Sequence, residues 1–323
     1  MVEMSVAPPE RVRVSRASMW QPRQPVFWLL VGMLAVSLLA LIPLFIMAPA
    51  GGGVWAVALV GAALQAALLI GIARTIPRAR IQPRSLRLGA LFAGGFAATG
   101  FAATINSLNG DPLQALGLGN LSAALSAPIV EDATRIVCTI AILAFASARR
   151  LTVIDGVIYG FLVGAGFEII ENLIYAVRAE DLSVGVQSLI TRLLMGFGLH
   201  AFWTAIAGGV LAYIWSRRQA GLSSRWYLMI PGYLLPMLLH AGWDAPASSV
   251  VPGVKYVEYF LLYAVSLGAF IAVAAWGRRD EWRRYGANGA ADGVPGSDGA
   301  PGLTRAEWKR LGWRERRDLA AAM

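Results

Sequence analysis

The sequence predicts an all-α polytopic membrane protein of about eight transmembrane helices, with its N-terminus and C-terminus both cytoplasmic. Three observations predict it. The chain is 57% hydrophobic and only 15% charged, whereas ordinary soluble domains carry about 25% charged residues. Its apolar runs last roughly 20 residues, the length a helix needs to cross the bilayer, while barrel strands would alternate over about ten. Its basic residues gather in alternate segments between those runs, as the positive-inside rule requires.

Residues 1–25 form a polar, Pro-containing cytoplasmic tail with Arg11, Arg13, Arg16 and Arg23. The first apolar run, 26–48, is too long for the core of a signal peptide and reads as a spanning helix. A Gly51-Gly52-Gly53 turn leads to a second span at about 54–73. A basic loop follows (Arg74, Arg78, Arg80, Arg84, Arg87), broken by Pro77 and Pro83. The third span, about 86–105, is rich in Gly and Ala, which suits close helix packing. Residues 106–120 contain no Lys or Arg and read as a loop. Five more spans lie at about 121–146, 155–177, 188–215, 226–245 and 254–276.

Counted from a cytoplasmic N-terminus, the remaining inner segments hold Arg149, Arg150, Arg217, Arg218, Arg225, Arg278, Arg279, Arg283 and Arg284, and the outer ones only Arg178 and Lys255. The net charge of +9 therefore expresses topology, with a lipid bilayer and no nucleic acid as the partner. The expected setting is a cell membrane, a bacterial inner membrane by the strong preference for Arg over Lys. The membrane domain is 26–276, with its functional core at about 121–245. Residues 277–323 comprise a Gly/Ala/Pro-rich linker and a short basic helix opened by Thr304 and Glu307 at capping-box spacing. The single cysteine, Cys138, excludes an intrachain disulfide and reads as a small packing residue.

Polar residues stand where lipid should be. A carboxylate at the centre of a spanning helix costs roughly 2.5 kcal/mol or more. Yet the fourth span carries Glu131, Asp132 and Arg135, and the fifth carries Glu168, Glu171 and Asn172. Both histidines of the chain lie in spans as well, His200 in the sixth and His240 in the seventh, with Asp244 one turn beyond. At about 1.5 Å per residue, these groups on four antiparallel spans reach similar depths in the outer half of the membrane. Glu131 and Arg135 are i,i+4 with the acid first, the favourable order for an ion pair, while Asp132 projects about 100° away. Pro128 is expected to kink the helix just before them. Gly156, Gly160 and Gly164 lead to Glu168 and Asn172 at intervals of four, and Gly196, His200, Thr204 and Gly208 repeat the device. Such small-residue stripes let helices approach closely. Pairing as polar glue averages under about 1 kcal/mol in membranes, too little to offset burying several charges. Asp155 reads as a helix N-cap, and Arg192 as either a snorkelling cation or a carboxylate partner.

HExxH, GxSxG and phosphate-binding glycine loops are all missing from the sequence. Carboxylates and histidines in a partly dry cavity remain. A carboxylate can act as general base toward water, and a histidine can stabilise an oxyanion. Two histidines and a glutamate from separate helices also make a zinc site, although their spacing is not a dedicated metal motif. The expectation is therefore no metal and no cofactor, with zinc as the alternative.

These residues resemble the PrsW-type intramembrane proteases, relatives of the type II CAAX prenyl proteases. VEDATR (130–135) is similar to the family's paired-acid motif. DGVIYGFLVGAGFEIIEN (155–172) is close to DGxxYGxxxGxGFExxEN, His200 in GLHAFWTAIAG matches a third motif, and HAGWD (240–244) a fourth. The sequence departs from that pattern at Asp132, where a second glutamate is usual, and at Arg135, where lysine is common. The resemblance implies hydrolysis of a peptide bond in a single-span membrane protein such as an anti-sigma factor. It implies that Glu131 activates water assisted by Glu168, that His200 and His240 bind or stabilise the oxyanion, and that Asp132, Arg135, Glu171, Asn172 and Asp244 support them. Intramembrane acids and histidines also serve proton-coupled transporters, and a non-catalytic scaffold would keep them for packing.

Overall fold

The computed structural model describes residues 18–76, 79, 82–117, 122–148, 150–179, 181–245 and 254–285, and every regular element among them is helical. The basic tail up to residue 17 and the expected linker and C-terminal helix beyond 285 lie outside the described residues. The helices are α1 (Pro25–Ile46), α2 (Gly52–Thr75), α3 (Arg84–Phe92), α4 (Thr99–Ala115), α5 (Ser122–Ala146), α6 (Val153–Val177), α7 (Leu182–Met195), α8 (Leu199–Gln219), α9 (Met229–Asp244) and α10 (Val254–Tyr285).

Among the described residues six helices are long and apolar enough to cross a membrane: α1, α2, the run Arg84–Asn109, α6, α8 and Tyr256–Asp280 within α10. The helix α5 is 25 residues long but holds Glu131, Asp132 and Arg135 in its middle. With 16 residues, α9 is short for a core about 30 Å thick.

The axis of the bundle is α6. Its apolar side chains point in every direction, and nearly all of them are buried. A helix apolar all round belongs inside other helices, and α6 is packed against α2, α3, α5, α7, α8 and α10. Its largest interface is with α8. A Cβ on Gly156 would overlap the carbonyl oxygen of Gly208, one on Gly160 that of Thr204, and one on Gly164 that of His200. The two small-residue stripes thus seat the backbones against each other, and His200 sits where they end. On another side of α6, a turn of π-helix over Ala93–Ala98 links α3 to α4. A Cβ on Gly94 would overlap the carbonyl oxygen of Val163, and one on Gly166 that of Leu91.

The structure corrects four expectations. The segment read as one sixth span, 188–215, is two helices: α7 ends at Met195 and α8 starts at Leu199. Gly198 has φ +80°, a left-handed conformation that glycine adopts at no steric cost and that breaks the helix. Gly196 therefore caps α7 and does not belong to the α8 stripe. The expected loop at 106–120 is helical as far as Ala115. Asp155 is not the N-cap of α6. Thr152 is, and Asp155 completes its capping box, Thr152 N–H donating to Asp155 Oδ2 over 2.8 Å. Asp132 does not turn away from Arg135, as the site shows.

Candidate active site

Four helices bring the intramembrane polar residues to one place. Helix α5 supplies Glu131, Asp132 and Arg135, α6 supplies Glu168, Glu171 and Asn172, α8 supplies His200, and α9 supplies His240 and Asp244. The imidazole centroids of His200 and His240 are 5.0 Å apart and nearly perpendicular. The indole of Trp203 stacks on His240 at 4.8 Å and meets His200 edge-on at 5.3 Å.

Arg135 is fully buried at the centre. Its guanidinium donates to Asp132 and to His200 Nδ1, and its Nη2 lies 3.4 Å from His240 Nδ1. The Arg135–Glu131 separation is longer, 3.9 Å. Arg135 thus pairs with Asp132, which helical projection turns away from it, as well as with Glu131. Asp132 is i,i+3 from Arg135, close enough for the planar fork of the guanidinium to span both acids. Asp132 Oδ1 also lies 3.5 Å from His240 Nδ1. The ring of Phe167 lies under the guanidinium, 4.4 Å from its carbon.

The tautomer of His200 follows. A guanidinium can only donate, so Nδ1 accepts and Nε2 carries the proton. That Nε2–H donates to Glu171 Oε2 over 3.0 Å. Glu171 Oε2 also accepts from Arg192 Nη1 at 3.1 Å, and Asn172 Oδ1 accepts from the same nitrogen at 2.8 Å. Arg192 is therefore a carboxylate partner rather than a snorkelling cation. Glu168 faces other groups: its Oε1 accepts from the Gly198 backbone N–H and from Gln65 Nε2, both at 2.7 Å.

Glu131 lies beside His240, with Oε2 at 3.6 Å from Nε2, and Asp244 Oδ2 is 3.4 Å from that same nitrogen. Glu131 Oε1 accepts from Asn106 Nδ2 at 3.1 Å, while Glu131 Oε2 is buried without a hydrogen-bond partner. Glu168, Asn172, Arg192, His200, Trp203 and Trp243 border a small cavity beside this cluster.

Three contributors were not anticipated from the sequence. Asn106 stands in the stretch read as a loop. Gln65 is the one polar side chain of α2 before Arg74, and that isolation was its available signal. The Gly198 N–H is a backbone donor, created by the break between α7 and α8. Cys138 is buried, with the Ala93 carbonyl oxygen, 3.7 Å away, as a weak acceptor.

Glu131, His200 and His240 each offer one donor atom, all within 4.8 Å of one another. Tetrahedral zinc with bonds of about 2.0–2.1 Å sets its ligands about 3.3 Å apart, so the donors would have to draw together. By donor type the set fits a zinc-like cation once His200 Nε2 gives up the proton it donates to Glu171, and Glu131 Oε2 is the ligand atom such an ion would use. Five carboxylates (Glu131, Asp132, Glu168, Glu171, Asp244) face two guanidinium groups (Arg135, Arg192) here, a balance that favours further positive charge. Arg135 lies on the Nδ1 side of both rings, and a cation there would meet its charge.

Residues 82–276 match a family model described as PrsW family intramembrane metalloprotease. Over 90 residues the chain is 30% identical to a protein named Protease PrsW from Geobacillus kaustophilus (strain HTA426), covering 28% of this chain and 36% of that protein. A second protein of that name, from Shouchella clausii (strain KSM-K16), is 28% identical over 111 residues, 34% of this chain and 44% of its own length. The chain thus spans less than half the length of either relative. No solved structure gives a significant match.

Proposed function

Because this chain belongs to the PrsW family of intramembrane proteases, we propose that it hydrolyses a peptide bond of a single-span membrane protein, such as an anti-sigma factor, with Glu131 as the base that activates water. One observation carries this reading: among the described residues a buried carboxylate oxygen, Glu131 Oε2, has no hydrogen-bond partner, and it lies beside two imidazoles. Asn106 orients the other oxygen of that carboxylate. Glu131 takes a proton from water as the water oxygen bonds to the scissile carbonyl carbon. The carbonyl oxygen becomes an oxyanion, stabilised by the N–H of His240, while the Nε2–H of His200 stays bound to Glu171. Glu131 then delivers its proton to the departing amine as the C–N bond breaks.

Eight spans with both termini cytoplasmic complete the proposal. Helices α5 and α9 cross the membrane within the bundle, where their polar residues meet one another instead of lipid. The basic inner segments and the near absence of basic residues outside support that orientation. The protein then sits as a multi-pass component of a bacterial inner membrane.

Substituting Glu131→Gln in the full chain reconstituted in lipid tests the reading. General-base removal is worth about 100- to 10,000-fold, so cleavage of a single-span reporter falls at least 100-fold while thermal unfolding is unchanged. Retained cleavage overturns it.

A second reading is favoured by the Glu131, His200 and His240 donor set and by the family's description as metalloproteases. A divalent ion held by these three residues would supply Lewis-acid polarisation and a more acidic bound water. Elemental analysis with chelation separates the two readings. Loss of cleavage on chelation, restored by zinc, selects the metal; cleavage indifferent to chelation selects glutamate alone.

A further inference from the structure

Gln65 lies in α2, outside the segment that matches the family and 103 residues from Glu168, yet it is completely buried against the site. Its helix is otherwise apolar up to Arg74. An amide in such a helix needs partners for both ends, since each unsatisfied polar group in hydrocarbon costs several kcal/mol. Gln65 has them on one face of α6. Its Nε2 donates to Glu168 Oε1 at 2.7 Å, and its Oε1 accepts from Asn172 Nδ2 at 3.2 Å. Glu168 and Asn172 are i,i+4, so one amide braces two successive turns.

Two consequences follow for the site. The Gly198 N–H also donates to Glu168 Oε1, so both donors converge on one oxygen, and Oε2 has no hydrogen-bond partner among the described residues. Gln65 and the Gly198 N–H together fix the rotation of the Glu168 carboxylate, which borders the cavity. On its other side Asn172, held by Gln65, accepts from Arg192, which donates to Glu171, the acceptor for His200 Nε2–H. A continuous series of hydrogen bonds links Gln65 to the imidazole.

We propose that Gln65 is a positioning residue of this site, an amide that sets the orientation of Glu168 and Asn172 and, through Arg192 and Glu171, that of His200. The proposal rests on the proteolytic reading above for its kinetic consequence and makes α2 part of the active machinery. Gln65 acts through other side chains and touches no substrate.

The test uses the full chain in lipid, with Gln65→Met, Glu168→Gln and the double variant, against the single-span reporter cleaved by the wild type. Methionine keeps the volume and removes both hydrogen bonds. Misplacing a catalytic group by about 1 Å costs up to about 100-fold, so Gln65→Met is expected to lower kcat about tenfold or more with KM within about twofold. The double variant is expected to be no slower than Glu168→Gln alone, because the two residues act as one unit. A kcat within about twofold of wild type, or losses that multiply in the double variant, overturns the proposal. A merely structural amide would lower thermal stability without that pattern in kcat. Should the wild-type chain be as silent as Glu131→Gln, the proteolytic reading has failed. The same three variants in thermal unfolding then decide the placement of Gln65: non-additive Tm shifts support its bond to Glu168, and additive shifts overturn it.

Discussion

Arg135 organises the site at the scale of single residues. It is buried, fixes the tautomer of His200, binds Asp132 and covers Phe167. Removing one partner of a buried ion pair typically costs about 3–5 kcal/mol, because the other charge is left uncompensated. Arg135→Met is therefore expected to unfold at markedly lower temperature than wild type, and Arg135→Met with Asp132→Asn to recover part of that loss. Thermal unfolding in detergent checks both; equal Tm values for the two variants would refute the pairing. The charged members of the cluster were legible in the sequence, since a charge in an apolar run is conspicuous and both histidines of the chain stand in apolar spans. Gln65 and Asn106 were not, because a neutral amide perturbs hydropathy little and its partners are remote in sequence. Helical projection from Glu131 turns Asp132 away, but the guanidinium three residues on is long enough to reach it.

At the scale of elements, the α6–α8 contact holds the geometry. Gly164 meets the carbonyl of His200 itself, so a side chain there displaces the residue that faces Arg135 and Glu171. Overpacking typically costs about 1–3 kcal/mol. Gly164→Leu is expected to lower the unfolding temperature by several degrees and to reduce reporter cleavage, whereas Gly32→Ala, with nothing within 4 Å of the added Cβ, should change neither. Unfolding curves and cleavage rates for the two variants check this. The glycine spacing announced a close helix contact, but not its partner. The interruption at Gly198 was hidden inside a continuous apolar run, because hydropathy does not register a left-handed residue. Its N–H, released from helical pairing, is what anchors Glu168.

At the scale of the whole molecule, length and composition qualify six helices as spans, and the proposed orientation adds α5 and α9. Ser183, at the start of α7, and Ser223, between α8 and α9, are both exposed and fall on opposite sides of the membrane in that topology. Cysteine at position 183 is expected to react with an impermeant thiol reagent in intact cells, and cysteine at 223 only after permeabilisation. The native thiol, Cys138, is buried and should contribute little background. The reverse pattern would invert the topology. Arg counts in the inner segments make this orientation readable without coordinates, because charge near span ends is a local property of the chain.

The sequence by itself determined the helical membrane class, the apolar runs, the small-residue stripes and the set of acids and histidines that cannot be left to lipid. Each of these is set by local hydropathy, helical periodicity or the cost of an isolated charge. Only the tertiary structure decided which of these groups face one another: Arg135 against both imidazoles, Glu171 on His200, Glu168 on Gly198 and Gln65, and Asn106 on Glu131. Those pairings join residues up to 105 positions apart. They depend on how α2, α4, α5, α6, α8 and α9 rotate and settle against their neighbours, and helical periodicity within one segment carries no information about rotation relative to another.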